Sequence, residues 1–197
     1  VRGNAKRISG IATHNATRLR PHFKTHKCIE VARIQTAGHN GAITVSTLAE
    51  ARDFSANGFD DITYAVPIEP GKFADAIEMF RSGVKFNLLT DNSETAKQLD
   101  EAAGRARVRF DVFVKIDCGT HRVGVEPHTD EAIEIPHVIA EARHLNFAGI
   151  LTHAGHSYDV KTVDEIKAVA RHERDVMVEL AARLREMSIE VPTVSIG

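Results

Sequence analysis

The chain has 197 residues, enough to bury roughly 70% of its unfolded surface around a single core, so no second domain is required. Its 25 Lys and Arg against 27 Asp and Glu give a formal charge of -2, which excludes the broad basic field that nucleic-acid binding uses. No apolar run approaches membrane-spanning length, and two cysteines without CxxC spacing or a secretory leader point to a reduced, cytoplasmic setting.

Apolar and β-branched runs alternate with helical patterns, the signature of repeated βα units around a parallel sheet. The patterns predict strands at Thr17–Lys24, Ala42–Ser46, Asp61–Val66, Lys85–Thr90, Val108–Asp117, Asn146–His153 and Thr193–Gly197. Helices are predicted at Ile29–Ala37, Leu48–Asn57, Gly71–Arg81, Ser93–Gly104, Asp130–Arg143 and Val163–Met187. The last carries Ile166, Val169, Ala170, Met177, Leu180, Leu184 and Met187 at helical spacing, a stripe that reads as core. The chain starts at Val1 and stops directly after an apolar run at Gly197, so it reads as a segment of a longer protein.

The strand at Val108–Asp117 separates an open sheet from a barrel. Phe110, Val112, Val114 and Ile116 form one apolar face, while Arg109, Asp111, Phe113, Lys115 and Asp117 alternate with them. A central strand of a doubly wound sheet is covered on both faces and reads as almost continuous apolar sequence. Polar side chains turned to a barrel interior, with the apolar face under helices, fit this alternation better. The fold class expected is α/β, a (β/α)8 TIM-type barrel, incomplete here with about seven strands. No Gly-x-Gly-x-x-Gly turn follows the first strand, which weakens a dinucleotide-binding alternative.

In such barrels the reactive groups collect at the carboxyl ends of strands. The first such end is Arg20-Pro21-His22-Phe23-Lys24-Thr25-His26-Lys27. In an extended segment Arg20, His22, Lys24 and His26 share one face, with Phe23 and Thr25 on the other. A lysine held among cations gives up its proton more readily, as an amine nucleophile must. The same residues also suit a solvated basic strand end that binds phosphate. After the fifth strand, two glycines fold a turn that aims Arg122 over the mouth, where it suits an anionic oxygen, or pairs with Asp117 or caps a helix. After the sixth, His153 and His156 make a weak metal signal without a third ligand of clear spacing. A neutral imidazole there also suits stacking on a flat aromatic ligand, and Tyr158 offers a hydroxyl to a phosphate or phenolate oxygen. Cys28 and Cys118 lack a nucleophile context and read as small, partly buried residues.

Four segments carry a family resemblance: Arg-Pro-His-x-Lys-Thr-His-Lys at 20–27, Lys-Ile-Asp-Cys-Gly-Thr-His-Arg-Val-Gly-Val at 115–125, Gly-Ile-Leu-Thr-His-Ala-Gly-His-Ser-Tyr at 149–158 and the closing Thr-Val-Ser-Ile-Gly. Together they resemble the barrel domain of the D-serine dehydratase and D-threonine aldolase group of alanine-racemase-like, fold-type III pyridoxal-phosphate enzymes. The resemblance implies Lys24 as the catalytic Schiff-base lysine and Arg122 as partner of the cofactor's ring oxygen. It further implies His153 as the residue stacked on the ring, Tyr158 as another cofactor contact, and Gly197 as the start of the phosphate-holding turn. Residues 1–197 are then the pyridoxal 5'-phosphate-binding barrel. The group's C-terminal β-domain, which binds a divalent metal such as Zn or Mn, is absent from this sequence, so the metal ligands are unknown.

The implied activity is a lyase acting on β-hydroxy-D-amino acids, by D-serine dehydration or D-threonine-type retro-aldol cleavage, in a cytoplasmic homodimer. An amino-acid racemase and a non-enzymatic pyridoxal-phosphate carrier stay open as alternatives, as does a phosphate-binding barrel without pyridoxal.

Overall fold

The computed structural model describes residues 1–39 and 41–197. In chain order the elements are α1 (Arg2–His14), α2 (Ile29–Thr36), β1 (Ile43–Val45), α3 (Leu48–Ala56), β2 (Asp61–Pro67), a 3-10 turn (Pro70–Lys72) and α4 (Phe73–Arg81). There follow β3 (Lys85–Thr90), α5 (Ser93–Ala106), β4 (Phe110–Lys115), α6 (Glu131–Glu141), β5 (Leu145–Leu151), a second 3-10 turn (Gly155–Tyr158), α7 (Val163–Glu186) and β6 (Val194–Ser195). The strands lie in sequence order in one sheet, and the pairs β1–β2, β4–β5 and β5–β6 run parallel. A helix joins each strand to the next, as parallel neighbours require, and this is the strand order of a βα barrel.

The chain divides into two compact units, Val1–Val66 with Ala74–Asn87, and Pro67–Phe73 with Leu88–Gly197. In the first, Phe23, Phe54 and Phe59 form a triangle of rings with centroids 5.0, 5.8 and 5.5 Å apart. Phe23 is fully buried, and withdrawing one such ring from water contributes about 2–3 kcal/mol. In the second unit α6 packs on β4, β5 and α5, and Leu99, Ala103, Ile135 and Ile139 of these two helices are buried.

Three sequence expectations are corrected. The strand expected at Thr17–Lys24 is reduced to one parallel bridge, His22 to Thr44. Its cause is local: the Phe23 carbonyl accepts the N–H groups of His26 and Lys27, so the chain turns away after two ladder bonds. Helix α1 is unforeseen because only Ala12 of its residues is buried, leaving no apolar stripe to read. In α7 the stripe is buried at Met177, Leu180 and Leu184, but Ile166 and Met187 at its ends are exposed. The alternating polar face of the β4 segment is covered only toward its carboxyl end, where Phe113, Lys115 and Asp117 are buried, whereas Arg109 is exposed.

Candidate active site

Lys24 stands in the first unit, on the turn that the Phe23 carbonyl closes. The common face expected for its basic neighbours does not form. Arg20 is drawn to the start of β2, where its Nη1 lies 2.7 Å from Asp61 Oδ1, and His26 folds back to bond Gln35 and pack on the Phe23 ring. Thr25 is exposed instead of opposing Lys24. What fixes the turn is a chain of hydrogen bonds. The Lys24 N–H donates to His22 Nδ1 at 3.2 Å, and His22 Nε2 meets Ser46 Oγ at 3.3 Å. With Nδ1 accepting, the neutral ring carries its proton on Nε2 and donates it to the serine. The Ser46 N–H donates to Glu50 Oε2 at 2.8 Å, and Lys27 Nζ sits 2.9 Å from Glu50 Oε1. Burial pushes the Glu50 carboxyl up, but the Ser46 amide and the Lys27 ammonium outweigh it and hold it below the ordinary value. Lys24 itself is exposed, and among the described residues no carboxylate pairs with its amine.

The second unit carries Arg122, His153, Tyr158 and Gly197. After β4 the chain doubles back so that Val125 bridges Ile116. Gly124 makes that return possible with φ +113 and no room for a Cβ, which would stand 2.9 Å from the main chain of Ile116 and Asp117. Asp117 Oδ1 accepts the N–H groups of Gly119, Thr120 and His121. Burial raises the Asp117 carboxyl, yet these three amides and the His121 ring bring it below the ordinary value. The aspartate is thereby committed to its own loop. Among the described residues Arg122 pairs with no carboxylate, so the reading in which it merely neutralises Asp117 is not what the structure shows.

The loops after β4 and β5 are fastened together by Thr120, whose hydroxyl donates to the His153 carbonyl at 3.1 Å. That uses its one proton, so it accepts from His156 Nδ1, 3.3 Å away. His156 is thus a loop fastener. His153 and Tyr158 come together, ring centroids 5.8 Å apart and planes 55° apart. Gly197 lies beyond β6, its amide held by Glu173. Both cysteines are free thiols; Cys118 is buried, and burial pushes its thiol up, away from a reactive thiolate.

Sequence reasoning singled out neither Lys115 nor Glu173. Lys115 is only 5% exposed, and burial depresses its ammonium to about 8, with Arg122 adding to the effect and Asp117 and Glu173 opposing it. A lysine whose folded value lies below its unfolded one destabilises the fold while it is charged in both states. Stability of the chain therefore rises as pH climbs from about 8 toward 10.4, where only the unfolded state holds the proton. Lys115→Met removes that rise and lifts stability at pH 7 by up to about 3 kcal/mol, read from urea midpoints across pH 7–10.5. A midpoint that falls at neutral pH contradicts this assignment.

Asp117, His121 and Glu126 form a group whose ligand atoms all lie within 4.8 Å of one another. His121 Nδ1 stands 3.3 Å from Asp117 and 3.1 Å from Glu126, so the imidazole already bridges the two carboxylates. His153 and His156 belong to no such group among the described residues.

Six sequential strands with crossover helices, and polar loops at their carboxyl ends, define a βα-barrel fold of the alanine racemase type. The chain belongs to this family: residues 1–197 match the one described as "Alanine racemase, N-terminal domain". It is 35% identical to D-serine dehydratase of Dictyostelium discoideum, over all of this chain and 53% of that protein. It is 31% identical to D-threonine aldolase of Arthrobacter sp, over 98% of this chain and 51% of that protein. The solved structure of D-threo-3-hydroxyaspartate dehydratase from Delftia sp. HT23 superposes with a TM-score of 0.94 at 35% identity, covering all of this chain and 52% of that one. The chain thus spans about half the length of the curated relatives it matches. The incomplete (β/α)8 barrel expected from the sequence is the fold observed. Among the described residues no helix is long and apolar enough to cross a membrane.

Proposed function

We propose that this chain is the cofactor-bearing barrel of a pyridoxal-phosphate-dependent lyase acting on β-hydroxy-D-amino acids. The observation that carries the reading is the amine of Lys24: exposed, paired with no carboxylate among the described residues, and mounted on a turn held by Phe23, His22 and Ser46. Dehydratases and an aldolase of D-configured hydroxy amino acids among the relatives support it.

Each donor has chemistry that suits one part of the group. Lys24 Nζ is a nucleophile for the cofactor's aldehyde and a carrier for the substrate's α-proton. Arg122, free of Asp117, supplies a permanent positive charge to the ring oxygen. His153 offers its imidazole face, with Tyr158 packed on it. The Gly197 backbone begins the phosphate turn. When bound, pyridoxal phosphate supplies the electron sink that stabilises negative charge at the substrate's α-carbon. A divalent cation, were the full-length protein to hold one, would supply a Lewis acid for the β-hydroxyl; the working form expected is a cytoplasmic homodimer.

The test uses the full-length protein with pyridoxal phosphate. A visible absorbance band, fixed by borohydride onto the peptide containing Lys24, is the expected result. D-serine and D-threonine are then assayed with Mn²⁺ or Zn²⁺: keto acid with ammonia marks dehydration, and glycine with aldehyde marks cleavage. Loss of optical rotation alone marks a racemase, and a fixable band with no turnover marks a carrier; either sinks the lyase.

A further inference from the structure

Glu173 sits in the middle of the apolar stripe of α7, only 6% exposed. A carboxylate in such surroundings is costly unless hydrogen bonds compensate for the lost water. Both bonds that its Oε1 accepts come from main chain: the Ala154 N–H at 2.9 Å and the Gly197 N–H at 3.2 Å. Those amides belong to neighbouring strand ends. The backbone ladder between β5 and β6 runs through Ile150 and Leu151, paired with Val194 and Ser195, and its last bond is from the Thr152 N–H to the Ser195 carbonyl. Glu173 Oε1 then bridges Ala154 and Gly197, two residues further along each chain segment, in place of a further rung. Around it, Ala154 packs with Cys118 and Val176, with Val169 alongside. This packing keeps water from replacing the carboxylate. The Lys115 ammonium lies near enough to interact with it.

We propose that Glu173 is a positioning residue for the cofactor: by holding the amides of Ala154 and Gly197 on one oxygen, it fixes His153 relative to the phosphate turn. The inference rests on the reading of His153 and Gly197 as cofactor residues. A helix carboxylate that clasps two loops resists their separation more than the two loops do alone, because both bonds are charge-assisted and the one to Ala154 is buried. It touches neither ring nor phosphate, so it acts only through the backbone it holds.

The experiment compares the unsubstituted full-length protein with Glu173→Gln and Glu173→Leu. Each is titrated with pyridoxal phosphate and with pyridoxal, which lacks the phosphate, and the amide exchange of Ala154 is followed by mass spectrometry. Glu173→Gln keeps a carbonyl oxygen and is expected to bind pyridoxal phosphate within about 3-fold of the unsubstituted protein. Glu173→Leu loses both bonds; about 10-fold or more weaker binding of pyridoxal phosphate is expected, a smaller loss for pyridoxal, and faster exchange at Ala154. Equal affinities in all three proteins overturn the proposal. Equal losses in Gln and Leu, tracking a lowered melting temperature, reduce Glu173 to fold stability and overturn it too. If the unsubstituted protein forms no borohydride-fixable band, the pyridoxal reading itself has failed and the positioning role falls with it; a normal band with Ala154 exchange unchanged in Glu173→Leu refutes Glu173 alone.

Discussion

Lys24→Ala is expected to erase the borohydride-fixable band and to lower turnover of a β-hydroxy-D-amino acid by about 10³-fold or more, while the urea midpoint barely moves. The separation of these two effects follows from where the side chain stands. Its amine bonds no carboxylate among the described residues and its surroundings are solvent, so removing it leaves no buried group unsatisfied. The turn survives because it is built from other atoms: the Phe23 carbonyl with the amides of His26 and Lys27, and His22 Nδ1 with the Lys24 amide. Absorbance, peptide mapping and denaturation measured on one preparation check the claim. A band that persists in Lys24→Ala moves attachment to another amine, and buried Lys115, depressed to about 8, is then the first to replace.

How much of this was legible in the sequence depends on whether the decisive partner is local. Helix α7 and strands β3 and β4 announce themselves because their periodicity is set by their own residues. The segment around Lys24 did not, because its alternation of basic residues mimics a strand while the stop signal is a carbonyl turned back on its own chain. The partners of Arg20 and Glu50 lie too far along the sequence, or on too short a reach of backbone, for any spacing rule to give them. Glu173 was available in principle: Ile166, Val169, Ala170 and Met177 place position 173 on the same helical face, so a carboxylate there breaks the stripe. A charge at a core position that nothing local can satisfy signals a long-range partner. Lys115 gives the same signal on β4, one residue inside the polar loop. Of the candidate site, the motif residues were nameable from the sequence. Of their supports, Thr120 and Glu50 were not, since they act through backbone groups that any residue could supply.

Gly149→Ala is expected to cost about 3 kcal/mol or more of stability, the largest loss from any single methyl added to the second unit. Gly149 lies within β5, opposite Phe113 just past the irregularity in the β4–β5 register. Its φ of +133 is one that an L side chain rarely adopts, and a Cβ there overlaps the carbonyl oxygen of Thr193 and stands 2.8 and 2.9 Å from its carbon and nitrogen. These are main-chain atoms, so no rotamer change relieves the contact. The same Thr193 carbonyl accepts the Ile150 N–H at 3.0 Å, the bond that opens the β5–β6 ladder. Pushing it away loosens a strand only two residues long. Glycine inside a strand marks such a close approach of backbones. The loss also reaches the site, since Gly197 follows β6 by two residues and depends on it to meet Glu173. Urea unfolding of Gly149→Ala should show the midpoint falling, with pyridoxal-phosphate affinity weakened in parallel. An unchanged midpoint means that β6 can shift without cost, and the ladder at Thr193 would then contribute little to holding the Gly197 segment.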